Sequence, residues 1–439
     1  MIREGNFMAE KLFLGVSRAI ITPEIGAALY GYRPNLFSES VNDDLTATAF
    51  AFASGDTSAM LISITLGSIQ TALCSEAREK ISEITGIKFE NIIICATHTQ
   101  SAPNLTGTYG WGDIDRKYYE SIFLPNILLA AKEANDNKKA VTVGYAQGES
   151  TTGINRRQLN SDNQIGLGQN PWGPLDKKMT IISFRDEEGC NVANLIHYGC
   201  HGTCAGSNKE ISRDWSGVMT DVVERDFGGI TAFINGPEGD IGPRCTNGKT
   251  TGNGNIAFAM ELGGYAARDA VTITEKIKSY RKAELTAFGG SVKIPLASRM
   301  PYELAKQEYE KVKEDTINNR GLYALFCRNT IESYEKKEQE QEFRIYEQNI
   351  IRIGDIAIVS TPFELFTEIG LRIDTYCKDI PYVLTLSNAN GSEGYFATED
   401  QRCRGGEEIK MGDIKHIQPY AENADFALIC ETLENLKKV

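Results

Sequence analysis

Four histidines occur in this chain of 439 residues, and two of them stand in the same kind of place. NIIICATHTQSAPN is apolar from Ile92 to Ala96, turns polar at Thr97 and then presents His98. NLIHYGC is also apolar, and His201 follows it. Three further apolar runs end in reactive side chains. ITAFI leads to Asn235 and then GPEGDIGPR, with Glu238 and Asp240. IAIVS leads to TPFE, ending at Glu364, and VLTLS leads to NANGSEGY, ending at Tyr395. Two histidines and a carboxylate are a familiar donor set for a catalytic zinc with one position open to water. His98, His201 and Glu364 can supply that set, and zinc would make its water a nucleophile near neutral pH. No HExxH or HxH pair is present, so the ligands have to be brought together by folding. The competing reading is that each histidine only caps or hydrogen-bonds a loop. Spacing alone leaves both open.

The elements that would position these residues follow from periodicity and turn chemistry. Leu45 to Ala53 and Ser58 to Leu66 flank SGDT, a hairpin pattern. Helical spacing runs from Thr71 to Thr85 and stops at Gly86, and Asn91 to Ala96 is a strand. Strand, helix, strand in that order points to a parallel crossover and an α/β fold with mixed sheets flanked by helices. In such sheets the ligand crevice lies beyond the carboxyl ends of the strands, which is where all five runs place their reactive groups. Lys117 to Ala134 reads as a helix bent at Pro125, and Val141 to Ala146 as a short strand. Met179 to Phe184 and Val192 to Tyr198 form a hairpin around RDEEG. Ser216 to Asp226 is helical, Ile230 to Ile234 a strand, Ile256 to Lys278 a long helix and Leu285 to Ile294 a strand. Residues 302–345, rich in Glu, Lys and Gln, read as a solvated helical pair covering the sheet. Ile350 to Ile353 and Ile356 to Ser360 flank Gly354-Asp355 as a hairpin. Glu364 to Tyr376 reads as a helix and Tyr382 to Leu386 as a strand.

Composition sets outer bounds. The chain is 41% hydrophobic and 24% charged, which is globular, and its net charge of -13 argues against nucleic acid as a partner. No stretch has the apolar length of a membrane span. The charged opening MIREGNFMAEK is no secretory signal, and ten scattered cysteines without a CxxC pair suit reduced thiols, so a cytoplasmic location is expected. The sequence is silent on oligomeric state.

Several other signals carry less chemistry. Gly248-Lys249-Thr250 lacks the earlier glycine of a phosphate-binding loop, because Pro243 stands there. His197, within the NLIHYGC strand, is expected to be structural, and His416 to lie at the surface. Trp111, Trp172 and Trp215 either line a pocket or cover loops.

Six motifs, taken together and in order, resemble the neutral, non-lysosomal ceramidase family. GVSRAIITP resembles its Thr-Pro opening and ATHTQSAP its THTHSGP motif. INRR resembles its Asn-Arg-Ser segment and NLIHYGCHGT its second zinc-histidine segment. STPFELFTEIGLRI and SNANGSEGYFAT resemble its PGE and Tyr-x-x-Thr segments. The likeness runs from about Gly15 to about Glu408 and implies a divergent, bacterial-type member. It implies one catalytic domain over 11–439, with 302–345 as a charged segment inside it and no C-terminal β-sandwich domain. The family's enzymes are zinc amidases that cleave the N-acyl bond of ceramide. The resemblance therefore implies zinc held by His98, His201, Glu364 and Tyr395, with Arg156 beside the substrate. Gln100 stands where the family has its second histidine, and Gly242 where it has a serine. Those departures point to a small N-acyl substrate other than ceramide. Gln100, Arg156 and the Tyr395 hydroxyl are then candidate donors to the oxyanion, with Asp240 or Asp214 relaying a proton. The alternatives are a metal-containing binding protein whose chemistry has decayed, or a metal hydrolase of sugar-linked or ester substrates.

Overall fold

A strand buried on both faces needs a partner layer on each side, and Ile92–Ala96 shows how this chain provides them. Ile92 and Ile94 point into one apolar cluster, Ile93 and Cys95 into another, and all four are fully buried. Alternation with a period of two sends successive side chains to opposite faces. Each such residue contributes about 1.5–3 kcal/mol by leaving water.

The computed structural model describes residues 11–108, 111–314, 320–410 and 416–439. The strands β1 (Leu12–Ile20), β2 (Thr46–Ser54), β3 (Thr57–Ile64), β4 (Ile92–Ala96), β5 (Lys139–Glu149), β6 (Lys178–Asp186), β7 (Asn191–Tyr198) and β8 (Ile230–Asn235) form one eight-stranded sheet. Their order is β8-β7-β6-β5-β1-β2-β3-β4. The outermost pair on each side, β3 with β4 and β7 with β8, is parallel, and the inner pairs are antiparallel. A second sheet holds β9 (Leu285–Pro295), β10 (Phe343–Ile353), β11 (Ile356–Ser360) and β12 (Tyr382–Leu386), with β11 and β12 parallel. Phe50, Phe52, Leu61, Ile351, Ile358 and Leu384 share one core, so the two sheets pack face to face.

Helices cover both outer faces. On the first sheet lie α1 (Thr71–Thr85), α2 (Leu124–Asp136), α3 (Asp214–Phe227) and α4 (Ala257–Thr274). The second sheet carries α7 (Thr367–Tyr376) and α8 (Ala424–Leu436). Between them in the chain, α5 (Tyr302–Val312) and α6 (Arg320–Glu335) pack on each other, with Tyr302 edge-on to Tyr334. No helix among the described residues is long and apolar enough to cross a membrane.

The eight-stranded sheet curls until its two edges meet. Ser63 Oγ donates to the carbonyl of Phe233 at 2.6 Å, and Asn235 Nδ2 donates to the carbonyl of Thr97 at 3.2 Å. The carboxyl ends of β4 and β7 therefore face one another although their strands are far apart in the sheet order.

The mixed α/β architecture, the hairpins and the crossover through α1 are as the sequence implies, and Gly86 caps α1 with a φ of 73°. Four expectations need correction. The helix expected from Glu364 begins at Thr367, because Glu364–Leu365 pairs as a short parallel strand with Tyr395–Phe396. The strand expected from Ile350 begins at Phe343 and pairs along the full length of β9, so residues 343–345 leave the helical segment. The remaining helical pair packs on itself more than on any strand. Finally, the bend at Pro125 is a π-helical turn over Tyr119–Phe123, which accommodates the N–H that proline lacks.

One ion pair ties α1 to the second sheet. Arg78, fully buried, donates Nη2 to Glu347 Oε1 at 2.7 Å and also reaches the carbonyls of Ile92 and Phe89. Burial works to raise the Glu347 carboxyl, but Arg78 outweighs it and the group sits below its ordinary value. Arg78→Met should lower the unfolding free energy by about 1–2 kcal/mol, since Glu347 keeps contact with water while the carbonyls of Ile92 and Phe89 lose their donor. Denaturant titration checks this as a shifted midpoint with an unchanged slope. The wild-type contribution is present above the unfolded carboxyl's pKa of ~4.3 and fades as pH falls through the lower folded value. The variant should lack that acid-dependent component.

Candidate metal centre

The turns after the strand ends carry the chemistry. His98 lies just beyond β4 with a φ of 64°, a left-handed conformation that is rare away from glycine. Asn388, just beyond β12, has a φ of 48°. Such strain persists where the surroundings over-determine it, and it clusters at functional sites. The turn of His98 runs beside that of His201: Thr99 bridges to Gly202, and Gln100 N–H donates to the Gly202 carbonyl at 3.1 Å. Asn235 joins both turns, holding the Thr97 carbonyl and accepting from Cys200 N–H. Close approach demands glycine at 202, where a Cβ would fall 2.7 Å from the carbonyl oxygen of His98.

His98, His201 and Glu364 converge, with one donor atom from each lying within 4.8 Å of the others. The imidazoles meet edge to face, with centroids 4.5 Å apart. His201 Nδ1 faces two carbonyls, of Glu238 at 2.9 Å and Ile241 at 3.1 Å, so its ring proton sits there and Nε2 is bare. That bare nitrogen points at Glu364 Oε2 from 3.1 Å. His98 Nε2 lies 3.5 Å from the same oxygen and is buried without a hydrogen bond. On its far side, His98 Nδ1 meets the Asn388 side-chain amide at 3.0 Å, and that amide also reaches Glu238 Oε1 at 2.6 Å.

Ionisation sharpens the arrangement. Burial, then the Arg156 charge, lowers His201 to about 3, and burial lowers His98 as well. Burial works to raise the Glu364 carboxyl, but its contacts with His98, with His201 and with the Tyr395 hydroxyl hold it below its ordinary value. At neutral pH an anionic oxygen thus faces two neutral imidazoles in a dry interior. An ionised carboxylate buried without a cation is costly, and these are donors that a metal ion accepts. The three residues fit a divalent metal ion.

Tyr395 stands next in the set. Its strand pairs with that of Glu364, its hydroxyl hydrogen-bonds the Glu364 carboxylate, and its ring lies nearly parallel to that of His201 at 6.4 Å. Burial, then the Glu364 charge, raises the phenol well above its ordinary value. Arg156 donates Nη2 to the Tyr395 oxygen at 3.0 Å and to the Gly239 carbonyl at 2.9 Å, and its Nε to Glu408 at 3.0 Å. Arg156 therefore fixes Tyr395 in place. Gln100 is buried, and its side chain lies against Gly31, where a Cβ would fall 2.4 Å from Oε1.

The two candidate proton relays are both held by backbone donors. Asp240, pushed up to about 7 by burial, accepts from Thr367 N–H at 2.8 Å and Asn155 Nδ2 at 3.0 Å, and so caps α7. Asp214, pushed up to about 6 by burial, accepts from the N–H groups of Cys204 and Ala205. At Gly242 a Cβ would fall 2.8 Å from Thr250, so the chain is closed around the missing side chain. His197 reaches the Thr385 carbonyl at 3.0 Å and is structural. Trp215 is buried core and donates Nε1 to the His201 carbonyl, Trp111 packs on Tyr30, and Trp172 is 92% exposed. Glu238 was visible in the sequence without a role. Tyr30, Asn388 and Glu408 gave no local signal, because each acts through partners distant in the chain.

The fold and the centre together define a layered α/β protein with a buried two-histidine, one-carboxylate cluster at its strand ends. No protein-family model and no curated protein sequence matches the chain. Among solved structures it is similar to a ceramidase complexed with C2, at TM-score 0.76 and 18% identity over 98% of this chain and 76% of that one. It is also similar to the neutral ceramidase of Pseudomonas aeruginosa, at TM-score 0.74 and 17% identity over 98% and 75% of the two chains. The chain has the fold of these ceramidases.

Gly202→Ala tests the assembly of the centre. The added methyl meets backbone on the His98 turn and should cost about 1–3 kcal/mol. Thermal unfolding should show that loss, and zinc uptake measured by elemental analysis should fall with it.

Proposed function

We propose that the protein is a zinc-dependent hydrolase that cleaves the amide bond of a small N-acyl compound other than ceramide. The observation that carries this reading is the convergence of His98 Nε2 and His201 Nε2 on one oxygen of Glu364. The ceramidase fold supports the reaction class. His98, His201 and Glu364 would hold the ion, with the Tyr395 oxygen as a fourth donor. Zinc bound there supplies an activated water and a Lewis acid for the amide carbonyl.

The chain's own residues shape the rest. Arg156, braced by Glu408, keeps the Tyr395 oxygen beside Glu364. Gln100 offers an amide N–H to the carbonyl oxygen of a substrate, and a donor aimed where negative charge develops stabilises the tetrahedral state. Glutamine cannot hand on a proton as histidine does. The Asn388 amide and the Glu238 and Ile241 carbonyls orient the imidazoles from behind, as outer partners of metal-binding histidines do.

Elemental analysis of the purified protein should find about one zinc per chain, the stoichiometry of a catalytic site. His201→Ala, checked by circular dichroism for retained fold, should lose both the zinc and the turnover of a panel of N-acyl amines and N-acyl amino acids. Zinc at the wild-type level in that variant would refute the ligand assignment. Zinc and tight ligand binding without turnover would favour the decayed binding protein.

Metal ligands must be deprotonated, and free imidazole takes a proton near pH 6.5. His201 is held at about 3 and so stays a ligand in mild acid. Zinc uptake should therefore stay level between pH 8 and roughly pH 5. A fall centred near 6.5 in an uptake titration would contradict this.

A further inference from the structure

Tyr30 lies outside the residue set above, yet its ring is locked against the centre. It meets the His98 ring edge to face, with centroids 6.0 Å apart, and the Trp111 ring at 4.9 Å. Its N–H donates to the Ala102 carbonyl at 2.9 Å. The ring rests on Gly67, where a Cβ would fall 2.1 Å from Tyr30 Cδ1, so it has no room to withdraw. Only 2% of the residue is exposed.

A phenylalanine would make every one of these contacts. The hydroxyl is the extra group, and it lies beside the charges of Glu364, Tyr395 and Glu238 without a hydrogen bond to any of them. A tyrosine hydroxyl beside an apolar body is the group that such a residue offers to a partner. Three of the five N–H groups of Arg156 are committed to Tyr395, Gly239 and Glu408. Gln100 lies against Gly31, the residue after Tyr30.

We propose that Tyr30 is a ligand-binding residue of the metal centre, its hydroxyl donating to an oxygen of the substrate, the amide carbonyl in the reading above. This rests on that reading. A substrate oxygen placed at the His98 side of the cluster gives the hydroxyl the acceptor that the protein does not provide. Tyr30 and Gln100 then form a donor pair for the developing oxyanion.

Acetohydroxamate, which grips zinc through two oxygens, is a suitable probe for the full-length zinc-loaded protein. Tyr30→Phe should keep the zinc stoichiometry and the unfolding midpoint of the wild type and bind acetohydroxamate about tenfold more weakly, the value of one hydrogen bond. Calorimetric titration reads the affinity. Unchanged affinity with zinc retained overturns the proposal and leaves the metal centre standing. Loss of zinc in Tyr30→Phe makes Tyr30 a support for His98 and overturns it as well. A wild type that holds no zinc defeats the reading of the centre first, and the role of Tyr30 falls with it.

Discussion

An ionised carboxylate in a dry interior needs positive charge nearby, and the imidazoles beside Glu364 do not supply it. Burial keeps both His98 and His201 neutral, and the proton of His201 is committed to the carbonyls behind it. The nearest permanent cation, Arg156, faces Tyr395 and Glu408. The cluster is thus a point of concentrated electron density whose natural complement is a small divalent cation that accepts both nitrogen and oxygen donors. Much around it keeps that point in place. The curl of the large sheet brings two distant strand ends together, Asn235 fastens them, and the bare backbone of Gly202 lets the turns touch.

Behind Tyr395 lies a second arrangement of buried charge. Glu408 accepts from Arg156 at 3.0 Å and from Arg157 at 2.7 Å, and Arg157 also reaches the carbonyls of Gln401 and Gly405. One carboxylate between two guanidiniums has a charged donor on each oxygen, and such pairing is the condition under which buried ions are tolerated. The short Glu399–Cys403 helix and the residues after it are thereby pinned across the segment that carries Arg156. The position of Tyr395 then depends on a stretch of chain that never approaches the imidazoles.

The strands and hairpins were legible because period-two alternation and turn residues are local. Ile92 to Ala96, the turn at Gly354-Asp355 and the stop at Gly86 each announce themselves within a few positions. His98, His201 and Glu364 were legible for a related reason, since each follows an apolar run that must be a buried strand. The onset of α7 was misread because the spacing around Phe363, Leu365 and Ile369 suits a helix equally well. Pairing with Tyr395–Phe396 decides for extended backbone, and that partner is remote in sequence. The same limit explains Asp240. Nothing near it foretells that its oxygens will meet Thr367 and Asn155, so its place at the start of a helix was not legible in the sequence. Tyr30 shows the converse, an ordinary core aromatic in the sequence that gains interest only through its neighbours in space.

The donors of the centre come from turns strewn across most of the chain, from His98 to Tyr395. During synthesis the amino-terminal strands leave the ribosome long before β11 and β12 exist. The pairing of Glu364 with Tyr395 closes last, after the non-local contacts that make such topologies slow to form. A half-made chain would present isolated histidines with no geometry to select one ion over another. A centre of this kind cannot select an ion by its geometry until residues as distant as His98 and Tyr395 have both been made.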